Sequence, residues 1–134
     1  MQLGDGAIVV KRAEGYEPVF WPQSGEYINT TFFLTDDAYR RHVLIEMRDE
    51  PSSEVAIFTD GLERLALNYG SQTAHAPFFA PMFKALRESR DASELIEPLR
   101  AFLDSGPVLE RTDDDKTLAL ATRLGADNAG TDVL

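Results

Sequence analysis

Cysteine is absent from this sequence. Its absence excludes a disulfide scaffold, a thiolate zinc site and a cysteine nucleophile, and it fits a reducing compartment, with the cytoplasm as the expected location. Histidine occurs only twice; His42 reads as a strand-start residue and His75 as a loop residue, both structural. Neither Ser24 nor Ser71 has a histidine at a telling spacing, so a serine hydrolase is unsupported. No apolar run approaches the length of a membrane span, and no membrane association is expected. Residues 1–6 hold no basic region followed by a long apolar stretch, so no signal peptide is expected there. Basic residues are scarce, 13 against 23 acidic ones, for a formal charge of −10. Such a surface repels phosphate backbones, which argues against nucleic acid as a partner. The same carboxylates suit hard divalent cations, which prefer oxygen ligands.

What is present is one domain's worth of chain, 134 residues with an ordinary apolar fraction. The first half reads as strands. Residues 7–11 are an apolar run with β-branched Ile8, Val9 and Val10; Gly15 interrupts it, and 18–21 resume it as a hairpin partner. Residues 22–26 are turn chemistry, 30–35 a strand candidate, and Asp36-Asp37 a cap for a short helix near Tyr39. Residues 42–47 are apolar and partly β-branched, and 54–59 form a strand with a dense apolar middle. The second half turns helical, with stripes at Leu62, Leu65, Ala66 and Tyr69, at Phe79, Met82, Phe83 and Leu86, and at Leu95, Ile96, Leu99, Phe102 and Leu103. Asp91 and Glu94 read as a capping box for the third helix, and Pro98 should bend or shorten it. Residues 117–122 return to strand, and 124–134, rich in small and acidic residues, are expected to be a disordered tail. Trp21 and the phenylalanines are assigned to the core. Strands, then helices, then a strand make an α+β order.

Three acidic spots carry the chemistry. Gly4-Asp5-Gly6 precedes the first strand, Thr59-Asp60-Gly61-Leu62 joins a strand to a helix, and Asp113-Asp114-Asp115-Lys116-Thr117 leads into the last strand. The glycines of the first spot are no phosphate loop, since no Gly-Lys-Ser/Thr follows. Asp60 follows a buried run, so its carboxylate belongs at the rim of the sheet; read alone, it is equally a helix cap. Gly61 permits either a close approach or a positive φ. Three adjacent aspartates repel one another until solvent or a cation relieves them. If 117–122 lie antiparallel beside 54–59, Asp60 and Asp114 face each other across one rim, a plausible Mg²⁺ or Mn²⁺ site.

Gly4-Asp5-Gly6, Thr59-Asp60-Gly61 and Asp114-Asp115-Lys116-Thr117 resemble, in order and spacing, the Gly-Asp-Ser, Ser-Asp-Gly and Asp-Asn-x-Thr motifs of PPM-type (type 2C) metal-dependent protein serine/threonine phosphatases, most closely a bacterial branch. Gly6 and Thr59 replace serines and Asp115 replaces asparagine, while the acidic positions are kept. The resemblance implies a β-sandwich flanked by helices, with Asp60 and Asp114 as metal ligands and Asp5 as a rim residue, structural or near an accessory metal. It implies hydrolysis of a phosphoserine or phosphothreonine in a phosphorylated protein substrate, by water activated at a two-metal centre of Mn²⁺ or Mg²⁺. The family's first motif, an Asp-Gly pair whose aspartate bridges two metals, has no match, nor does its N-terminal phosphate-binding arginine. The expectation is therefore the C-terminal part of the domain over residues 1–123, half a metal centre with weak activity by itself, and an unfinished apolar face open to self-association. The alternative is a non-catalytic pseudophosphatase or protein-interaction module.

Overall fold

The computed structural model describes residues 1–23 and 32–123. Strands β1 (Ala7–Arg12), β2 (Gly15–Pro18), β3 (Glu54–Phe58) and β6 (Leu118–Thr122) form one antiparallel sheet in the order β2-β1-β3-β6. A two-stranded hairpin, β4 (Leu67–Asn68) with β5 (Thr73–Ala74), forms a second sheet whose Leu67 and Ala74 join the same core. Helices α1 (Glu63–Ala66), α2 (Ala76–Glu88), α3 (Ile96–Leu103) and α4 (Gly106–Leu109), with three short 3-10 turns, complete the described elements. The architecture is α+β. Among the described residues, no helix is long and apolar enough to cross a membrane.

Alternation sets the two faces of the sheet. Ala7 and Val9 of β1 and Ala56 and Phe58 of β3 are buried, and Leu118 and Leu120 of β6 pair opposite Phe58 and Ala56. On this face they meet Phe79 and Phe83 of α2, both fully buried. The opposite face carries Ile8, Val10, Val55, Ile57, Ala119 and Ala121, of which Ile57 is 51% exposed. It is apolar at every one of these six positions, as expected of a sheet that forms one layer of a sandwich.

The far end of the sheet is held by a charged cluster. Glu54 is 4% exposed. Its carboxylate accepts from the Tyr16 hydroxyl at 2.6 Å and from the Arg87 guanidinium, tying β3 to β2 and α2. Burial pushes the Tyr16 phenol up to about 12, aided by the hydrogen bond to Glu54 and by that residue's negative charge. Because this pKa is raised above the free value of 10.0, the stability it contributes is full below pH ~10 and fades as pH climbs toward ~12. Tyr16→Phe should therefore flatten the alkaline limb. The measurement is the urea midpoint at pH 9 and pH 11.5; an unchanged drop between them in the variant contradicts the assignment.

Several expectations are corrected. The partner of β1 is shifted from the expected 18–21: it begins at Gly15, which pairs with Arg12 across a two-residue turn, and of the expected residues Pro18 pairs with Val9 and Val19 N donates to Ile8 O at 2.8 Å. Of the strand expected at 30–35, residues 32–35 are described, and they form a turn in which Asp36 Oδ2 accepts from Phe33 N at 2.9 Å. That bond replaces the helix cap expected of Asp36, and the short 3-10 turn Tyr39–Arg41 has no side-chain cap. Residues 42–47 make one isolated bridge, Leu44 with Gln2. The stripe from Leu62 to Tyr69 supports only one helical turn, because the backbone becomes extended at Leu67 to build β4. Pro98 lies in the first turn of α3, just after the 3-10 turn Ala92–Leu95, so the α-helical part of that stripe begins only at Ile96. Asp91 caps that 3-10 turn by accepting from Ser93 N at 2.9 Å. His75 ends the loop before α2, and the His42 ring stacks on Phe32 at 3.7 Å between centroids. The tail expected at 124–134 lies outside the described residues.

Candidate metal centre

The register of the sheet builds the rim. Phe58, the last residue of β3, pairs with Ala7 at the start of β1 and with Leu118 at the start of β6. The segments before β1, after β3 and before β6 therefore emerge at one end. These are the three acidic segments. Thr59 joins two of them: its N–H donates to Thr117 O at 3.2 Å, its hydroxyl donates to Asp115 O at 3.3 Å, and its Oγ1 accepts from Thr117 N at 3.0 Å. Threonine thus keeps the hydroxyl that the family's serine would supply.

Two glycines set how closely these segments approach. A Cβ on Gly61 would press into the Asp115 carbonyl oxygen and lie 3.1 Å from its carbon. A Cβ on Gly6 would lie 2.9 Å from the Phe58 carbonyl oxygen. The glycine at position 6, where the motif has serine, therefore has a local steric reason.

Asp60 opens a 3-10 turn, Asp60–Leu62, and Gly61 N donates to its Oδ1 at 2.9 Å. That bond is made within the turn, and the residue in the cap position is Thr59. The Asp60 carboxyl is raised above the usual aspartate range, first by burial, then by the negative charge of Asp5 and then by that of Asp114. Asp5 and Asp114 thus both act on Asp60 at the rim. Asp114 is positioned by its own loop: its N–H donates to Thr112 Oγ1 at 3.3 Å, and its Oδ1 accepts from Asp115 N at 2.8 Å. Lys116 Nζ donates to the Asp114 carbonyl at 3.2 Å.

Sequence reasoning missed a fourth acid. Glu63, one turn after Asp60, accepts from the Tyr69 hydroxyl through Oε2, while its Oε1 is buried with no partner. Burial raises its carboxyl, the Tyr69 bond opposes the shift, and Asp60 and Asp5 add to it. The Tyr69 phenol in turn is pushed up to about 12 by burial and by Glu63. The available signal was the Asp60-x-x-Glu63 spacing, which puts both residues on one side of a helix start.

Chemically the rim suits a hard divalent cation: all four donors are carboxylates, they repel in the absence of a counter-ion, and one oxygen is buried without a bond. In number it falls short of a closed shell. Among the described residues, no three His, Asp or Glu side chains gather closely enough to enclose a cation.

Comparison with known proteins bears on this rim. The family described as Protein phosphatase 2C matches residues 1–104, which include Asp5, Asp60 and Glu63 and stop short of Asp114. Serine/threonine-protein phosphatase 3 of Escherichia coli (strain K12) is 44% identical over 123 residues, covering 90% of this chain and 49% of the relative. The chain spans about half the length of that relative. No solved structure matches the chain.

Proposed function

The chain belongs to the protein phosphatase 2C family, and on that premise we propose that it supplies part of the metal centre of a phosphoserine/phosphothreonine protein phosphatase. Asp60 and Asp114 are the ligands of Mn²⁺ or Mg²⁺, with Asp5 beside them at the rim. The observation that carries this reading is that Asp5 and Asp114, distant from Asp60 in sequence, emerge at the same sheet end and both raise the Asp60 carboxyl. A bound cation supplies Lewis-acid polarisation of the phosphoryl oxygens and acidifies a bound water. The chain's own residues do the positioning. Thr59 fixes the Asp60 turn against the Asp114 loop, and Gly61 lets the two backbones touch. The Asp115 N–H orients the Asp114 carboxylate through Oδ1.

The test is calorimetric titration of MnCl₂ into the chain. Binding is expected to be weak, because two ligands leave most of an octahedral shell to water. Asp60→Asn and Asp114→Asn should remove the heat, and Asp113→Asn should keep it. Heat that persists unchanged in both of the first two variants overturns the ligand assignment. A second reading, a non-catalytic interaction module, is favoured by the lack of any three gathered donors among the described residues. No measurable Mn²⁺ heat in the wild type would support it.

A further inference from the structure

The proposed ligand set leaves one acid of the rim without a role, Glu63. It stands in the first turn of α1, three residues after Asp60, so both lie on one side of the helix start. Its Oε2 accepts from the Tyr69 hydroxyl, while its Oε1 is buried and has no partner. Among the described residues, no other carboxylate oxygen is left in this state. Tyr69 is itself braced, its ring meeting Trp21 edge-on at 5.3 Å between centroids. We propose that Glu63 is a positioning residue of the cation rim, held by Tyr69 so that Oε1 accepts a hydrogen bond from water carried by a cation on Asp60. This rests on the metal reading of that rim.

A buried acceptor without a donor is costly, more so when it is charged. A fold that keeps one reserves it for a water or an ion, or for a catalytic role. Three observations point to the rim as the source of the missing donor. The charges of Asp60 and Asp5 both bear on the Glu63 carboxyl, so it lies within electrostatic reach of the two. No three His, Asp or Glu side chains among the described residues gather closely enough to enclose a cation, so Glu63 acts through water and not as a direct ligand. The atoms that cover Oε1 belong to this chain. A side chain brought by another segment would have to displace them. A single water needs only a turn of the carboxylate about its last bond, a torsion with broad preferences. A purely helical role is weak by comparison, because α1 has four residues and no side-chain cap. Groups hydrogen-bonded behind the direct ligands orient a metal site and set its affinity.

The test titrates MnCl₂ into the chain and follows free Mn²⁺ by its electron paramagnetic resonance amplitude. Chain concentration is raised until the weakest variant shows binding, and circular dichroism is the folding control. Glu63→Gln keeps an oxygen for the Tyr69 hydroxyl but sets an amide donor where Oε1 stands. It should weaken Mn²⁺ binding about ten- to a hundredfold. Glu50→Gln removes the same charge from an exposed loop at the opposite end of β3, and should bind as the wild type does. Tyr69→Phe removes no charge, yet should weaken binding severalfold. Added to Glu63→Gln it should do nothing more, because Tyr69 acts only through Glu63, whereas independent structural damage would add. Equal affinity in Glu63→Gln and the wild type overturns the proposal, and so do additive losses in the double variant. If Asp60→Asn abolishes binding while Glu63→Gln keeps it in full, the rim stands and Glu63 leaves it. If the wild type binds no Mn²⁺, both fail.

Discussion

Replacing Asp60 with asparagine should lower manganese-dependent hydrolysis of a small aryl phosphate by about two to three orders of magnitude, measured in a polypeptide that carries the whole family domain. Phosphoryl transfer depends mainly on placing charge opposite the transferring group, and the rim holds that charge through carboxylates. The same substitution should act in the opposite direction on the fold. The Asp60 carboxyl is raised by burial and by Asp5 and Asp114, so its ionised form is the disfavoured one in the folded chain. Stability from this group is present at low pH and is lost as pH rises through the folded pKa. At pH 7 an uncharged asparagine removes that repulsion. The melting temperature of the cation-free Asp60→Asn chain should rise, while the further rise given by MnCl₂ to the wild type should vanish. Activity at the wild-type level in a folded Asp60→Asn protein would remove Asp60 from the centre. A lower melting temperature without cation would instead give Asp60 a structural role as a turn residue. Asp114→Asn should follow the same activity pattern.

The parts of the fold that were legible in the sequence share a cause. Strands β1, β3 and β6 are dense in β-branched or alternating apolar residues, and each has an acidic segment at one end. Placing the acidic ends together demands that β3 and β6 run antiparallel as neighbours, which is their observed register. Helix α2 was equally readable, because Phe79, Met82, Phe83 and Leu86 recur at its period over a length that a strand cannot match.

The misread elements are those set by tertiary pairing. Leu62, Leu65, Ala66 and Tyr69 keep a helical period, yet Leu67 is extended because its partner Ala74 lies across a turn. Nothing within 62–69 signals that partner. Gly15 looked like a strand breaker, but it closes the hairpin against Arg12 at a φ of 144° that other residues rarely adopt. Glu63 was passed over for a different reason. Its place in the rim comes from the buried, unbonded Oε1 and the Tyr69 hydroxyl, and Tyr69 directly follows β4 in the hairpin that the sequence concealed.

Gly61→Ala should disable the rim although it removes no ligand. The sequence allowed two reasons for glycine here, a positive φ or a close approach, and the geometry selects the second. An added Cβ would overlap the Asp115 carbonyl oxygen, with the Asp115 carbon at 3.1 Å and the Asp114 carbon at 3.5 Å. These are backbone atoms, which cannot swing aside as the end of a long side chain can. Either the 3-10 turn bearing Asp60 or the loop bearing Asp114 must shift, and the Thr59 hydroxyl contacts with Asp115 and Thr117 are strained or broken. Overpacking of this kind costs about 1–3 kcal/mol. A displacement near 1 Å between groups that act together lowers rate by about a hundredfold. The expected results are a lower urea midpoint, no calorimetric response to MnCl₂, and a folded circular dichroism spectrum. Thr59→Ser is the matched control: it keeps the hydroxyl, removes only a methyl group, and should bind Mn²⁺ as the wild type does. Gly61→Ala with wild-type stability and Mn²⁺ binding would mean that the two segments can separate without consequence. The rim would then not be the place where Asp60 and Asp114 act together.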